Sequence, residues 1–186
     1  MTHVGTGEIK TARLTLRRFR VEDAESMYEN WASDAEVVKY LTWPVHPNSG
    51  VTKMILESWT KLYEKDDYYQ WAIVLNENGD RPIGSIAVVS LRDEVEKAEI
   101  GYCIGRKWWH KGIMTEALNA VIDYLFKEAG MNRIEARHDP RNPHSGGVMK
   151  KCGMTYEGTQ RASDVNNQGR CDVSWYAILA SDRENA

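Results

Sequence analysis

Apolar residues alternate with polar ones in Arg13-Leu14-Thr15-Leu16-Arg17, which predicts a strand. Val21 onward turns helical to about Trp31, and a second short helix is predicted over Ala35 to Tyr40. Pro44, Pro47 and Gly50 mark a loop. Val51 to Lys65 then reads as a helix with Val51, Ile55, Trp59 and Leu62 on its inward face. Tyr69 to Leu75 is an apolar strand ending in the turn Asn76-Glu77-Asn78-Gly79-Asp80, and Pro82 to Ser90 is the next. Ala98 to Ile104 is a further strand. Ile113 to Ala129 carries the clearest helical stripe, with Met114, Ala117, Leu118, Val121, Leu125 and Ala129 on one face and Gly130 as a stop. Arg133 to His138 reads as a strand and Pro143 to Lys151 as a helix. Met154 to Ala162 and Cys171 to Leu179 pair as a hairpin around Asn166-Asn167-Gln168-Gly169.

That order predicts one mixed α/β (α+β) layer structure with about seven strands flanked by helices. We expect a single domain over residues 1–186, with 1–10 a loose leading segment. The net charge of −3, with both signs mixed, argues against nucleic acid as a partner. Acidic residues crowd near the start, at Glu22, Asp23, Glu25, Glu29, Asp34 and Glu36. They read as a solvated helix face, or more sharply as a negative rim that draws in a cation. Cys103, Cys152 and Cys171 show no CxxC pairing and no metal-ligand spacing with the five histidines. Free thiols fit a reducing cytoplasm. Neither a signal-peptide pattern nor a membrane-length apolar run is present. The expectation is a cytoplasmic protein without metal, with room for a homodimer.

Two segments carry candidate chemistry. The first is Trp108-Trp109-His110-Lys111-Gly112-Ile113-Met114-Thr115-Glu116-Ala117. A strand ends before it and a long helix starts inside it, so backbone N–H groups and the positive helix end suit a phosphate. Gly112 permits close backbone approach and Lys111 adds charge. Seen alone, this is also a plain strand-to-helix connection. The second segment is Asp139-Pro140-Arg141-Asn142-Pro143-His144-Ser145, where Asn142 alone would be a helix N-cap.

Taken in order, AEIGYCI, WWHKGIMTEAL, RIEARHDPRN-x-x-S and KKCGMTYEG resemble the GNAT superfamily of N-acetyltransferases, within its RimJ/RimL-like branch. RLTLRRFRVEDAESMY resembles the family's opening strand and helix, so the likeness spans nearly the whole chain. It implies a twisted mixed sheet that splays open between Glu99–Ile104 and Arg133–His138, with the pantetheine arm of acetyl-CoA in the cleft. The backbone of Tyr102, Cys103 and Ile104 would hold that arm. Trp109, His110, Lys111, Gly112, Ile113, Met114 and Thr115 would form the pyrophosphate loop. Asn142 would bond the pantetheine, and Ser145 would place a hydroxyl near the thioester sulfur. The loop departs from the family pattern: Trp109 stands for arginine or glutamine, His110 for a frequent glycine, and Met114 for a small residue. His138 stands where an aliphatic residue is expected, and reads as a proton relay or as a hydrogen-bonded structural residue.

The resemblance implies direct acetyl transfer from acetyl-CoA to a primary amine. Glu99 is the candidate base; it reads equally as a surface strand residue among Glu94, Glu96 and Lys97. Ser145 is the candidate acid, Cys103 a small apolar filler, and Tyr102 a packing residue. An N-terminal α-amine of a peptide or protein is the expected acceptor, because it deprotonates near ~8 where lysine needs ~10.4. Small amines such as polyamines, amino acids or antibiotics are the rival. A non-catalytic acyl-CoA-binding protein is the alternative of a different class. The N-terminal helices and the final hairpin are expected to wall the acceptor, with Trp31, Tyr40, Trp43, Trp59 and Tyr63 supplying aromatics.

Overall fold

The computed structural model describes residues 1–184; the last two residues of the predicted 1–186 domain lie outside them. Among the described residues eight strands form one sheet, in the order β1-β2-β3-β4-β5-β6-β8-β7. They are β1 Ile9–Lys10, β2 Leu14–Arg17, β3 Gln70–Leu75, β4 Pro82–Arg92, β5 Lys97–Ile104, β6 Arg133–His138, β7 Thr155–Asn166 and β8 Gly169–Leu179. All neighbours are antiparallel except β5 and β6. The helices are α1 Ala24–Met27, which continues as a π turn over Tyr28–Ala32, α2 Ala35–Val38, α3 Ser49–Leu62, α4 Ile113–Lys127, α5 Pro143–Lys151 and α6 Ala180–Glu184.

One core lies between the sheet and α4 with α5. The predicted α4 stripe is buried in full, and Ile113 and Ile122 join it. A second cluster of Phe19, Met27, Trp31, Leu56 and Ala72 holds α1 and α3 on the opposite face. The predicted face of α3 is only half-buried. Thr52 and Leu56 are its fully buried residues, because the Thr52 hydroxyl turns inward to His46 Nδ1 at 2.8 Å.

Two expectations change, and one helix is added. The strand count rises to eight because Ile9–Lys10 adds a two-residue edge on β2. The leading segment is not loose. Thr2 N–H donates to Ala129 C=O (2.9 Å), Gly5 N–H to Asp66 C=O (2.7 Å), and Trp71 Nε1 to Gly7 C=O (2.7 Å). Backbone groups so paired leave the segment little freedom, and a polar, glycine-containing stretch gives no periodicity by which to foresee it. α6 was also unforeseen; its Arg183 reaches Asp123 on α4 at 2.8 Å.

A buried ion pair joins β2 to the turn before α1. Arg17 donates from both terminal nitrogens to Asp23 at 2.8 and 2.9 Å, and from Nε to Asp80 Oδ1 at 2.7 Å. Both partners of the Arg17–Asp23 pair are over nine-tenths buried. Removing one side of such a pair strands a buried charge. Arg17→Met is expected to cost about 3–5 kcal/mol in urea unfolding, and a loss below ~1 kcal/mol would show the pair to be dispensable.

Candidate active site

Strands β5 and β6 pair at only three positions, Lys97↔Arg133, Ala98↔Ile134 and Glu99↔Glu135. Beyond Glu99, β5 stays with β4 and β6 with β8, so the sheet opens into a V. The closed end is pinned by Lys97 Nζ on Glu135 Oε1 (2.6 Å) and by Arg133, which bridges Glu135 and Glu157. Past that point the β6-facing backbone edge of β5 has no strand partner among the described residues, leaving peptide groups for a bound chain to satisfy.

A cavity of about 470 Å³ lies on one side of the V, within the usual range for a small-molecule site. It is lined by Tyr102, Cys103 and Ile104, the whole run from Trp109 to Thr115, and Asn142 and Ser145. Those are all the sequence-predicted cofactor residues and one of the two predicted catalytic ones. Its basic lining is Lys111, Lys151, His110 and His144, with no carboxylate among the described residues. Two helix N-termini face it, those of α4 and α5. Gly112, the N-cap of α4, sits at φ 72° and brings no capping side chain, so the first-turn N–H groups of a fifteen-residue helix are left for an anion. Asn142 occupies the N-cap of α5 without capping it through its side chain, which frees the amide for a ligand.

The substituted loop residues have local reasons. His110 adopts φ 59°, a conformation glycine takes at no cost and other residues take reluctantly. Its ring meets His144 edge-on at 4.6 Å, joining the loop to the start of α5. Trp109 Nε1 donates to Ile104 C=O at 2.9 Å and so closes the end of β5. Arg13, from the β1–β2 turn, clamps the loop from behind. Its Nη1 donates to Lys111 C=O at 3.0 Å and its Nε to Glu116 Oε2 at 2.6 Å, while Thr11 Oγ1 donates to Glu116 Oε1 at 2.6 Å. Burial works against the Glu116 charge, but the bonds from Thr11 and Arg13 and the Arg13 charge outweigh it and hold this carboxyl below its ordinary range. Sequence reading missed Arg13, because its partners lie about 100 positions away.

A second cavity, about 370 Å³, opens on the other side of Tyr102 and Cys103. Glu99, Asp139, Asp164 and Arg137 line it with Trp31, Tyr40, Trp43 and Trp59. Tyr63 does not; its hydroxyl donates to Gln70 C=O at 2.8 Å and accepts from Phe19 N–H, which pins α3 to β3. Glu99 is not a solvated strand residue. Its Oε1 accepts from Arg137 Nε at 2.7 Å, Arg137 also pairs with Asp164, and the guanidinium lies over the Trp175 ring. Within the acidic run near the N-terminus, Asp23 pairs with Arg17, Glu29 with Arg81, Asp34 with Arg106 and Glu36 with Lys39. The carboxylates of the second cavity are paired as well, Asp139 with Arg141, but its lining holds three carboxylates to one arginine.

The two cavities share Tyr40, Leu41, Tyr102 and Cys103. At this junction Tyr102 Oη donates to Ser145 C=O (2.9 Å) and Ser145 Oγ donates to Tyr102 Oη (3.1 Å). Burial pushes the Tyr102 hydroxyl well above its usual pKa and the Cys103 thiol up to about 12, so both keep their protons at neutral pH. A half-buried thiol kept protonated is a poor nucleophile. His138 Nδ1 donates to Asp139 C=O at 2.8 Å, and its Nε2 is buried without a partner among the described residues, against Gly146, where any Cβ would lie 2.5 Å from it.

Residues 13–155 match the acetyltransferase (GNAT) domain family. The chain is similar to the uncharacterized N-acetyltransferase p20 of Bacillus licheniformis, 31% identical over 169 residues, covering 91% of this chain and 94% of that one. A 68-residue stretch is 38% identical to the [ribosomal protein uS5]-alanine N-acetyltransferase of Escherichia coli, covering 37% of this chain and 35% of that one. The crystal structure of a GNAT-family acetyltransferase from Bacillus anthracis superposes with a TM-score of 0.81 at 30% identity, covering 93% of this chain and 98% of that one.

Asp139 anchors the loop that leads to Asn142. Hydrogen bonds from Arg141, ahead of the opposing effect of burial, lower its carboxyl from 3.8 to about 2. A value depressed in the fold contributes stability that is complete above the unfolded pKa and lost as pH falls through the folded one. The urea midpoint of the wild-type chain is therefore expected to fall between pH 4 and pH 2. Asp139→Asn, weaker at neutral pH, is expected to fall less steeply over that window. Parallel pH profiles for the two would contradict the assignment.

Proposed function

This chain belongs to the acetyltransferase (GNAT) family and is an acetyl-CoA-dependent N-acetyltransferase; we propose that its acceptor is the α-amine at the N-terminus of a peptide or protein. The observation that carries this reading is the acid-lined second cavity, reached across Tyr102 and Cys103 from the cation-lined first. The first cavity, with Lys111 and the open turn of α4, suits the phosphates of acetyl-CoA. The second suits a cation approaching from the far side. At about 370 Å³ it admits an extended chain end and not a folded surface. The Escherichia coli relative named for alanine acetylation of a ribosomal protein supports a protein terminus.

Acetyl-CoA supplies the acetyl group. Transfer forms one N–C bond and breaks one C–S bond; the amine gives up a proton and the sulfur takes one. Glu99, on the acceptor wall, is assigned the first proton, taken through water because Arg137 already occupies Oε1. Ser145, on the donor wall and bonded to Tyr102, is assigned the second. A backbone N–H near Cys103 is assigned the oxyanion of the transition state. Small amines such as spermidine remain the second reading, favoured by the same carboxylates.

Three experiments test this. Gly112→Glu sets bulk and negative charge on the phosphate loop and is expected to weaken acetyl-CoA binding tenfold or more by calorimetry, with the far-UV spectrum unchanged; unaltered affinity would place the donor elsewhere. Glu99→Gln is expected to cut turnover most at low pH and to recover partly as pH rises, and Ser145→Ala to lower kcat more than acetyl-CoA affinity; wild-type rates in both leave positioning as the source of rate. For the acceptor, mass spectrometry would locate acetyl on a free-N-terminal peptide, on the same peptide blocked but containing lysine, and on spermidine. Acetylation of the free terminus alone is expected. Acetylation of spermidine alone overturns the acceptor assignment.

A further inference from the structure

Tyr102 and Cys103, two of the four residues at the junction, are held by the β4–β5 ladder through Ile86 and Ser85. Tyr40 and Leu41, which face the same junction, have no strand or helix to hold them. They lie in the irregular stretch that follows α2. What holds that stretch from outside is the tip of the β7–β8 hairpin. Asn167 Nδ2 donates to Val38 C=O and to Trp43 C=O, both at 2.8 Å, and Asn167 N–H donates to Leu41 C=O at 3.1 Å. One planar amide thus ties the two ends of the turn together, and its own backbone catches the middle. Two carbonyl oxygens can face only the NH₂ end of the side chain, so the orientation of the amide is fixed by its partners. The neighbouring Asn166 Nδ2 donates to Asp139 Oδ2 at 2.9 Å, at the start of the loop to Asn142. The hairpin tip therefore grips both rims of the junction.

We propose that Asn167 is a positioning residue for acetyl transfer, fixing Tyr40 and Leu41 where donor and acceptor cavities meet and so setting the approach of the amine to the thioester. This rests on the assignment of the two cavities to donor and acceptor. Asn167 is exposed and contributes no core packing, so its effect is on placement more than on stability. Placement matters because displacement of about 1 Å can cost on the order of 100-fold in rate. Aspartate is the informative replacement. It has the same shape, lacks both amide donors, and presents oxygen to two carbonyls.

The test uses the full chain with Asn167→Asp and Asn167→Ala. Both are expected to raise the KM for the amine and lower kcat/KM for it at least tenfold, with Asp the worse. The dissociation constant for coenzyme A by calorimetry is expected to stay within about threefold, which also shows the variants to be folded. Amide hydrogen exchange over residues 38–43 is expected to accelerate in both. A merely structural role would shift the melting temperature and leave the split between amine and coenzyme A constants untouched. Wild-type amine kinetics in Asn167→Asp, or unchanged exchange over 38–43, would overturn the proposal. Loss of coenzyme A affinity in proportion to activity would overturn it too. If the wild-type chain itself bound no coenzyme A, the cavity assignment would fail on that measurement, while hydrogen exchange would still decide whether Asn167 holds the turn.

Discussion

The pairing of β5 with β6 stops after three residue pairs, and the site follows from that stop. Had the parallel ladder continued, the backbone edge of β5 would be satisfied by β6 and no chain could enter between them. Because β6 is paired with β8, and β5 with β4, along their lengths, the sheet keeps its hydrogen bonds on the outer sides of the V and gives them up on the inner sides. The cost of unpaired peptide groups is confined to a place where a ligand can repay it. Lys97, Glu135, Arg133 and Glu157 hold the closed end, so the opening has a fixed origin.

Charge is sorted across the same junction. One cavity offers lysine, histidine and two helix N-termini, and the other offers carboxylates with a single arginine engaged between two of them. On the proposed assignment, a polyanionic donor and a cationic acceptor are each drawn to their own side before either is bound. The engaged Arg137 also keeps Glu99 in place, so the second cavity retains carboxylate charge without an unpaired acid in a low-dielectric cleft.

The turn at the start of α4 shows how substituted residues are held in place. His110 accepts a left-handed backbone and is steadied by His144, Trp109 uses its indole N–H to close β5, and Arg13 braces Lys111 and Glu116 from the β1–β2 turn. A helix start receives an anion through backbone N–H groups, and those are placed by φ, ψ and by bracing more than by the identity of the side chains between them.

The sequence by itself determined the elements and the lining of the first cavity. Alternation and helical stripes are local, so β2 to β8 and the buried face of α4 could be read within a few residues of their ends, and the loop from Trp109 to Thr115 with Asn142 and Ser145 lies in two short contiguous runs. Tertiary structure decided the rest, because it depends on residues far apart in the chain. The docking of residues 1–10, the pairing of Glu99 with Arg137, the bracing by Arg13 and the grip of Asn167 on Val38, Leu41 and Trp43 join positions from 38 to about 130 apart. Each is a hydrogen bond between polar groups with no periodicity of their own. A single chain gives such groups no partner until the sheet has folded and brought them within about 3 Å.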